Sequence, residues 1–400
     1  QMCIRDRSLG KTLGIPLFQE QLMQIAVDAA GFTGAEADDL RRAMGSKRSP
    51  ERMNALKSRF FDGLARTNGI TGDVAEKLWQ KIVAFAAYGF PESHSQSFAS
   101  LVYFSAWFKY HYPAQFCVGL LRAQPMGFYS PQSLIQDARR HGIEVLPATV
   151  NDSGAEARVV GGKDTPAKIR LGLNLIKGLG DKAAERIEAA AAAEGPFRDV
   201  PDLSRRADLT VSQVEALATA GALDCFGLTR RQALWQAGVA ATERDGMLPG
   251  LSAIEAPSLP GMSSFELLVT DVAATGVTHD KQPMETIRNL LADAGILTAA
   301  QLRDVPDGTR VRIAGVITHR QRPGTASGLT FLGMEDETGL MNVMVSPGLW
   351  KRQKVLARTA HSLIIRGVVE NATGAISVVA DKLEPLEVGE WFSRGSRDFR

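Results

Sequence analysis

Residues 176–187 read IKGLGDKAAERI, and this stretch decides how the centre of the chain folds. Gly178 and Gly180 flank one apolar residue, and an alanine-rich pattern with helical spacing follows them. A Gly-x-Gly turn before a helix can hold the pyrophosphate of a dinucleotide, bind a phosphate of DNA, or simply connect two helices. The surrounding residues separate these three possibilities.

The dinucleotide possibility lacks two of its required features. A third glycine is missing, because Ala183 and Ala184 stand in its place, and no strand–helix–strand repeat surrounds the turn. A helix-hairpin-helix motif needs an apolar helix end, an apolar residue between two glycines, and small and apolar residues in the next helix. Ile176, Leu179, Ala183 and Ile187 stand at these positions.

In such a hairpin, amide N–H groups at the start of the second helix face outward and suit a phosphate. Contacts of this kind give affinity without sequence choice. A connection between two helices that binds no ligand remains the alternative, and a degenerate second hairpin is expected around Gly221. The predicted DNA contacts are Lys177, Gly178, Leu179, Gly180 and Lys182.

The composition indicates a globular protein of about two to four domains, with 44% apolar and 22% charged residues in 400. No apolar run approaches the roughly 20 residues of a membrane span, and the start of the chain lacks a signal-peptide pattern. Cys3, Cys117 and Cys225 are too far apart to suggest a disulfide scaffold or a zinc site. We therefore expect a reducing, cytoplasmic location, no membrane partner and no metal site.

Charge is sorted along the chain although the net charge is only +2. Seven cations lie between Arg41 and Arg59 against the single acid Glu51, and residues 310–386 carry ten Lys and Arg against six Asp and Glu. Residues 228–309 carry six cations against ten acids. Cationic segments separated by an acidic spacer favour a polyanionic partner, while a solvated helix face is the alternative for the basic run.

Apolar spacing predicts helices throughout residues 18–125. Gly31 is expected to end the first helix, and Thr33 with Glu36 forms a capping box for the second. Further helices are predicted over residues 71–87, from Phe98 to Phe108, and over residues 130–141, the last followed by a short strand. The period changes to two between residues 311 and 386, where five short strands, with one helix over 347–359 before the fourth, are typical of an OB-type barrel.

The barrel is cationic but poor in aromatic residues, since only Phe331 and Trp350 lie in it. The charge of the barrel favours binding of single-stranded DNA, but its few aromatic residues give only weak support for base stacking. A structural or protein-binding barrel is the alternative. The predicted DNA contacts in the barrel are Arg312, Arg320, Arg322, Lys351 and Arg352.

The motifs of catalysis are missing from the sequence. The acids 335–337 stand at a predicted strand end rather than on a rigid strand that would support a metal pair. The six histidines have no zinc spacing, and neither a nucleophile elbow nor a phosphate-binding loop of the nucleotide hydrolases occurs.

Residues 88–116, YGFPESHSQSFASLVYFSAWFKYHYPAQF, resemble the fingers of bacterial family C DNA polymerases, the DnaE-like α subunits. Two further segments, 17–26 and 39–48, are similar to that family in the same order. Residues 124–153 and the ending SRDFR at 396–400 resemble its error-prone, ImuC-like branch. The resemblance covers about residues 9–400.

The resemblance implies a multidomain fold, mainly α, with fingers and a tandem helix-hairpin-helix followed by a C-terminal all-β barrel. Residues 1–8 are expected to be a non-native leader. The expected parts are fingers at 9–125, their end with short strands at 126–170, tandem hairpins at 171–227, a linker with short elements at 228–304, the OB domain at 305–388 and a tail at 389–400.

The resemblance also implies a nucleotide site around the motif Tyr-Gly-Phe-x-x-Ser-His. Glu92 departs from the family, because replicative members often place a lysine there, and a carboxylate would repel a triphosphate. The residues carried over as nucleotide contacts are Arg41, Arg42, Lys47, Tyr88, Phe90, Ser93 and His94, with Gly89 in the same motif.

The family's metal-binding aspartates lie in a palm upstream of the fingers, so the resemblance implies a parent enzyme that uses Mg²⁺ and dNTP, with ligands outside this chain. The implied function is error-prone DNA-directed DNA synthesis in damage tolerance. Its implied partners are template-primer duplex, single-stranded template, accessory damage-tolerance proteins and, through them, a sliding clamp. The alternatives are a fragment of a replicative α subunit and a non-enzymatic DNA-binding module.

Overall fold

The computed structural model describes residues 7–44, 49–86, 90–127, 129–162, 165–240, 256–323, 326–372, 374–386 and 397–399. The chain forms two compact units, residues 1–107 and residues 108–400. No helix in the described ranges is long and apolar enough to cross a lipid bilayer.

The described part of the first unit is helical, and its core joins the apolar faces of successive helices. Leu22, Leu40, Phe60 and Ile82 are buried there, one from each of the first four helices. The ring of Phe60 lies 5.3 Å from that of Trp79, in an aromatic cluster. The helices are α1 (Gln19–Ala30), α2 (Gly34–Met44), α3 (Ser49–Asn68), α4 (Gly72–Ala86) and α5 (Glu92–His111), the last of which continues into the second unit.

The predicted ends of the first helices are confirmed. Gly31 has φ +62° and donates its N–H to the last turn of α1, as a left-handed residue after a helix does. The Thr33 N–H donates to Glu36 Oε2 over 2.7 Å and the Glu36 N–H donates to Thr33 Oγ1 over 3.3 Å, which completes the capping box. The predicted start of α5 at Phe98 is wrong, because the polar residues after Pro91 are already helical.

The second unit begins with two helices and a small sheet. The Ser130 hydroxyl accepts the Ser133 N–H over 3.2 Å and so starts the predicted helix after residue 130. The central strand of the sheet is parallel to one neighbour and antiparallel to the other. These elements are α6 (Pro113–Arg122), α7 (Pro131–Arg140), β1 (Val145–Leu146), β2 (Arg158–Val160) and β3 (Lys168–Arg170).

Helices follow this sheet and share its apolar core, in which Ile169, Ile187, Leu203 and Leu217 are buried. The region expected to be a linker with short elements contains two 11-residue helices, which bury Ala237 and Ala274 in the same core. Residues 241–255 lie outside the described ranges. The helices are α8 (Asp181–Glu194), α9 (Val200–Arg206), α10 (Val211–Thr219), α11 (Arg230–Ala240) and α12 (Ser264–Ala274).

A closed five-stranded barrel follows, as the period of two predicts. Along the sheet, the strand of residues 330–335 is followed by those of 340–345, 375–385, 362–372 and 310–321, and the last also pairs with the first, which closes the barrel. Two short helices stand between the third and fourth barrel strands, where one was predicted. The elements are α13 (Pro283–Thr286), α14 (Arg288–Asp293), α15 (Ala299–Leu302), β4 (Arg310–Gln321), β5 (Thr330–Glu335), β6 (Leu340–Val345), α16 (Pro347–Arg352), α17 (Lys354–Thr359), β7 (Ser362–Ala372), β8 (Ala375–Pro385) and β9 (Arg397–Phe399).

Candidate nucleic-acid interface

The first hairpin has the backbone geometry that its glycines suggest. Gly178 has φ +87° and Gly180 has φ +80°, a region that residues with a Cβ rarely adopt. Leu179 between them is only 2% exposed and anchors the turn in the core. Gly180 precedes the first residue of α8, so the turn delivers the chain directly to a helix N-terminus.

The first two residues of α8 are exposed, whereas Ala183 and Ala184 of the same turn are buried. The first N–H groups of a helix have no carbonyl partner within it, and the helix dipole makes this end positive. Lys182 is exposed beside these groups, as a phosphate contact requires. Asp181 is also exposed in this turn and brings a negative charge that the sequence interpretation left out.

Lys177 lies differently from the prediction. Its ammonium group donates to the carbonyl oxygens of Ala273, over 2.7 Å, and Val272, over 3.5 Å. Its backbone N–H donates to Ala274 O over 2.8 Å. Lys177 therefore joins the first hairpin to the C-terminal end of α12, where a cation is favoured by the dipole of that helix.

The second hairpin is closed by an ion pair. Gly221 has φ +76°, and a Cβ at this position would lie 2.9 Å from Nε and Nη2 of Arg230. Nη2 of Arg230 is 2.6 Å from Oδ1 of Asp271, and both side chains are buried or nearly so. The guanidinium group thus fills the turn from within and connects α11 to α12. No sequence motif indicated this pair.

Three of the described nucleotide-site candidates, Phe90, Ser93 and His94, lie at or just before the start of α5. The His94 ring lies between two phenylalanine rings, with centroid distances of 5.1 Å to Phe90 and 4.6 Å to Phe98. Ser93 is exposed one residue earlier. Lys47, Tyr88 and Gly89 lie outside the described residues. The geometry therefore brings Phe90, Ser93 and His94 together on one short segment.

The unexpected acid of this segment has a counterion. Oε1 of Glu92 is 3.5 Å from the Lys11 ammonium group, and its backbone N–H donates to Glu20 Oε2 over 2.9 Å. Glu92 therefore belongs to a contact between α5 and the beginning of the chain. That contact offsets part of the charge that would repel a triphosphate.

Arg41 and Arg42 share one carboxylate. Each places Nη2 2.8 Å from an oxygen of Asp38, three and four residues earlier on α2. The hydrogen bond from Arg41 is the main reason that the pKa of Asp38 lies below its ordinary value. Helical spacing of i to i+3 and i to i+4 was the signal from which this partner could have been found.

Arg320 in the barrel differs from the prediction of a DNA contact. Its side chain is buried, and its guanidinium group donates to the carbonyl oxygens of Ala357, over 2.9 Å, and Ala360. The group holds the end of α17 against β4. In this arrangement its donors face the protein rather than a phosphate.

Arg312 lies in a mixed-charge network on the outside of the barrel. Its Nη2 is 3.3 Å from Oε2 of Glu384, and the neighbouring Arg366 places Nε 2.6 Å from Asp381. Arg312 on β4 lies directly opposite Arg366 on the neighbouring strand β7. The acids offset much of the positive charge on this face.

Arg322 forms a second cationic surface with α16. Its guanidinium carbon lies 5.3 Å from the ring centre of Trp350, and Arg322 is exposed. Lys351 and Arg352 are exposed immediately after that tryptophan. We call Arg322, Trp350, Lys351 and Arg352 the Trp350 patch, which combines the charge and the aromatic ring that single-stranded DNA favours.

The acids 335–337 are used in packing. Glu335 Oε1 is 2.7 Å from Arg140 Nη1, and Asp336 accepts the Ala299 N–H over 2.7 Å. Burial raises the pKa of both carboxyls, and these partners oppose the rise. Glu337 pairs with Arg288 at 2.5 Å. In the described ranges no group of three or more His, Cys, Asp or Glu is placed to hold a metal ion.

Three family models match the chain. Residues 5–68 match the bacterial DNA polymerase III alpha subunit finger domain, residues 142–233 match a helix-hairpin-helix motif, and residues 311–386 match an OB-fold nucleic acid binding domain. The matches follow the order that the sequence suggested.

Curated relatives match nearly the whole chain. An "Error-prone DNA polymerase" of Corynebacterium glutamicum is 74% identical over 397 residues, which are 99% of this chain and 37% of the relative. The protein of the same name from Corynebacterium efficiens is 73% identical over 399 residues, 99% of this chain and 36% of the relative. A protein of the same name from Mycobacterium tuberculosis is 56% identical over 394 residues, which are 35% of the length of that relative. The chain is therefore similar over nearly its whole length to part of the bacterial error-prone DNA polymerases, and it spans 36–37% of the length of its two Corynebacterium relatives.

Proposed function

We propose that this chain supplies template-primer and nucleotide contacts to an error-prone DNA-directed DNA polymerase that transfers nucleotides from dNTP to a primer 3′ end. The identity of 74% over 99% of the chain to a relative of that name carries the proposal. Damage tolerance and repair synthesis, a cytoplasmic location, and the use of Mg²⁺ belong to the same proposal. Accessory damage-tolerance proteins, and a sliding clamp reached through them, would recruit the parent.

Each group of residues has a role in this proposal. The glycine turn and Lys182 bind phosphates of duplex DNA, because they present amide donors and an exposed cation at one helix end. The Trp350 patch binds single-stranded template by charge and stacking. Phe90, Ser93 and His94, with Arg41 and Arg42, form part of the nucleotide site, and the palm carboxylates come from another part of the parent.

The proposal predicts that the 400-residue chain binds primer-template and does not extend it. Fluorescence anisotropy over a salt series and primer extension with magnesium and four nucleotides test both parts. Affinity should fall steeply with salt, because phosphate contacts release counterions. Robust extension by the chain alone would contradict the proposal that the catalytic carboxylates lie in another part of the parent. Salt-insensitive binding would contradict the proposed phosphate contacts.

A non-enzymatic DNA-binding module is the second candidate, because fingers, hairpins and barrel could bind DNA without chemistry. The coding sequence upstream of residue 9 distinguishes it from the polymerase. A palm motif with paired aspartates in the same reading frame supports the enzyme, whereas an unrelated upstream sequence supports the module. The names of the relatives favour the error-prone branch over a replicative α subunit.

A further inference from the structure

The long helix α5 buries none of its residues, and from Phe98 to Phe108 it carries apolar side chains on all sides. Val102, Tyr103 and Phe104 are 65%, 69% and 56% exposed, and they are consecutive. Successive residues of a helix are rotated by about 100°, so these three side chains point in three different directions. A helix that is apolar all round is normally a buried helix.

The four helices before α5 bury apolar side chains in a shared core. The preceding helix α4 has a similar number of apolar residues, and it buries Ala75, Trp79 and Ile82. The beginning of α5 is also attached to this unit, because Phe90 O accepts the Gln19 N–H over 3.1 Å. Single apolar side chains are exposed elsewhere in this unit, such as Leu13 and Val74, but an unbroken run of them begins only at Leu101 of α5 and extends to Phe104.

The distribution of these side chains limits what could cover them. A membrane surface contacts one face of a helix, and a second helix of a symmetric dimer covers one stripe. Residues that point in three directions need a groove that encloses the helix. The core of a large polypeptide provides such a groove, and the chain spans only 37% of the length of a 74% identical relative.

We propose that α5 is the docking helix for the remainder of the polymerase chain, which encloses residues 98–104 in the full-length protein. The proposal rests on the proposed function, in that the chain is part of a longer polymerase, and does not depend on which residues bind DNA or nucleotide. Exposed apolar patches larger than a few hundred Å² usually mark such interfaces.

Thiol labelling tests the proposal directly. Val102→Cys would be introduced into a background with Cys3→Ser and Cys225→Ser, because Cys225 is exposed and Cys117 is buried. A maleimide should label Val102→Cys readily in the 400-residue chain and about 100-fold or more slowly in the full-length polymerase, since a buried thiol reacts only in opened molecules. Val355→Cys is the matched control, because Val355 is a 77% exposed valine on α17.

The outcomes separate the proposal from its competitors without measuring activity. Equal labelling of Val102→Cys in both proteins, with equal labelling of the control, would overturn the proposal. Protection already in the 400-residue chain would also overturn it, and light scattering would then show whether a second copy or the chain itself provides the cover. Loss of polymerase activity alone would bear on the proposed function and not on this interface.

A stability measurement gives an independent readout. Val102→Asp should lower the Tm of the full-length polymerase by several degrees, because an unpaired carboxylate is buried at the interface. The same change should leave the Tm of the 400-residue chain within about 1 °C, as a surface substitution does. Val355→Asp should leave both proteins unchanged, and an unchanged full-length Tm for Val102→Asp would contradict the proposed interface.

Discussion

The ammonium group of Lys177 lies 2.7 Å from the carbonyl oxygen of Ala273, so a lysine of the first hairpin holds the end of α12. Lys182, five residues later, is exposed at the start of α8. The two lysines were predicted as equivalent phosphate contacts. Their surroundings differ, because Lys177 holds α12 whereas Lys182 is exposed, so we expect only Lys182 to contact a phosphate.

Substitution by methionine separates these tasks. Lys182→Met should reduce the slope of log affinity for duplex DNA against log salt by about 1, because one phosphate contact is lost. Lys177→Met should leave the slope unchanged and lower the stability by about 1 kcal/mol, because a charged hydrogen bond is lost. Anisotropy titrations and urea unfolding measure the two effects. A reduced slope for Lys177→Met would mean that DNA displaces the lysine from α12.

The glycine turn can be tested with a control from the same helix. Gly180 and Gly195 flank α8, have φ values of +80° and +83°, and face open space where a Cβ would stand. Alanine at either position should destabilise the fold by about 1–3 kcal/mol, because the backbone conformation is one that favours glycine. Only Gly180→Ala should also weaken duplex binding, which anisotropy would detect. Equal DNA affinity of the two folded variants would make the hairpin purely structural.

Two ion pairs join α11 to α12 and differ in burial. The Arg230–Asp271 pair is buried, whereas Arg231 and Glu266, 3.2 Å apart, are exposed. Asp271→Ala should cost about 3–5 kcal/mol, because it leaves a buried guanidinium unpaired, and Arg231→Ala should cost about 1 kcal/mol or less. Urea unfolding measures both. Similar values for the two variants would show that the burial of Arg230 does not govern the stability of the second hairpin.

The spacing of apolar residues along the sequence was enough to predict most helices and strands. Polar contacts between residues far apart in the sequence could not be predicted from it. Alternation with a period of two gave the barrel strands, since each strand has one buried and one exposed face. The burial of Arg320 depends on carbonyl groups 37 and 40 residues away, so charge counting placed it wrongly among DNA contacts. The packing of α12 was not predicted, because prolines and glycines before it suggested a linker with short elements, while its polar contacts come from Lys177 and Arg230, which are distant in the sequence.

Asp202 predicts a pH dependence of the hairpin domain. Burial raises the pKa of this carboxyl, but hydrogen bonds from the Arg198 N–H and the Arg206 guanidinium group together lower the pKa by more. The net shift of the pKa is therefore downward. Its stabilising contribution should therefore be complete above the unfolded pKa of about 4 and be lost as pH falls through the lower folded pKa.

Asp202→Asn should accordingly destabilise the chain by about 1–3 kcal/mol at pH 7, with a difference from the parent that shrinks below about pH 4. Unfolding in urea at several pH values measures this difference. Asp199→Asn is the control, because Asp199 caps α9 by accepting the Asp202 N–H over 2.8 Å and asparagine caps equally well. A difference for Asp202→Asn that grows as pH falls would have the wrong sign for this account.

The barrel offers two cationic surfaces, and only the Trp350 patch should bind single-stranded DNA. Arg322→Gln removes a cation stacked on Trp350 and should weaken binding of an oligonucleotide several-fold at physiological salt. Arg312→Gln should change affinity less than about two-fold, because Glu384 already offsets that charge and exposed pairs contribute little. Anisotropy with a labelled oligothymidine compares the two variants. The reverse order of effects would move the DNA site to the face formed by β4, β7 and β8, and equal small effects would favour the structural or protein-binding alternative for the barrel.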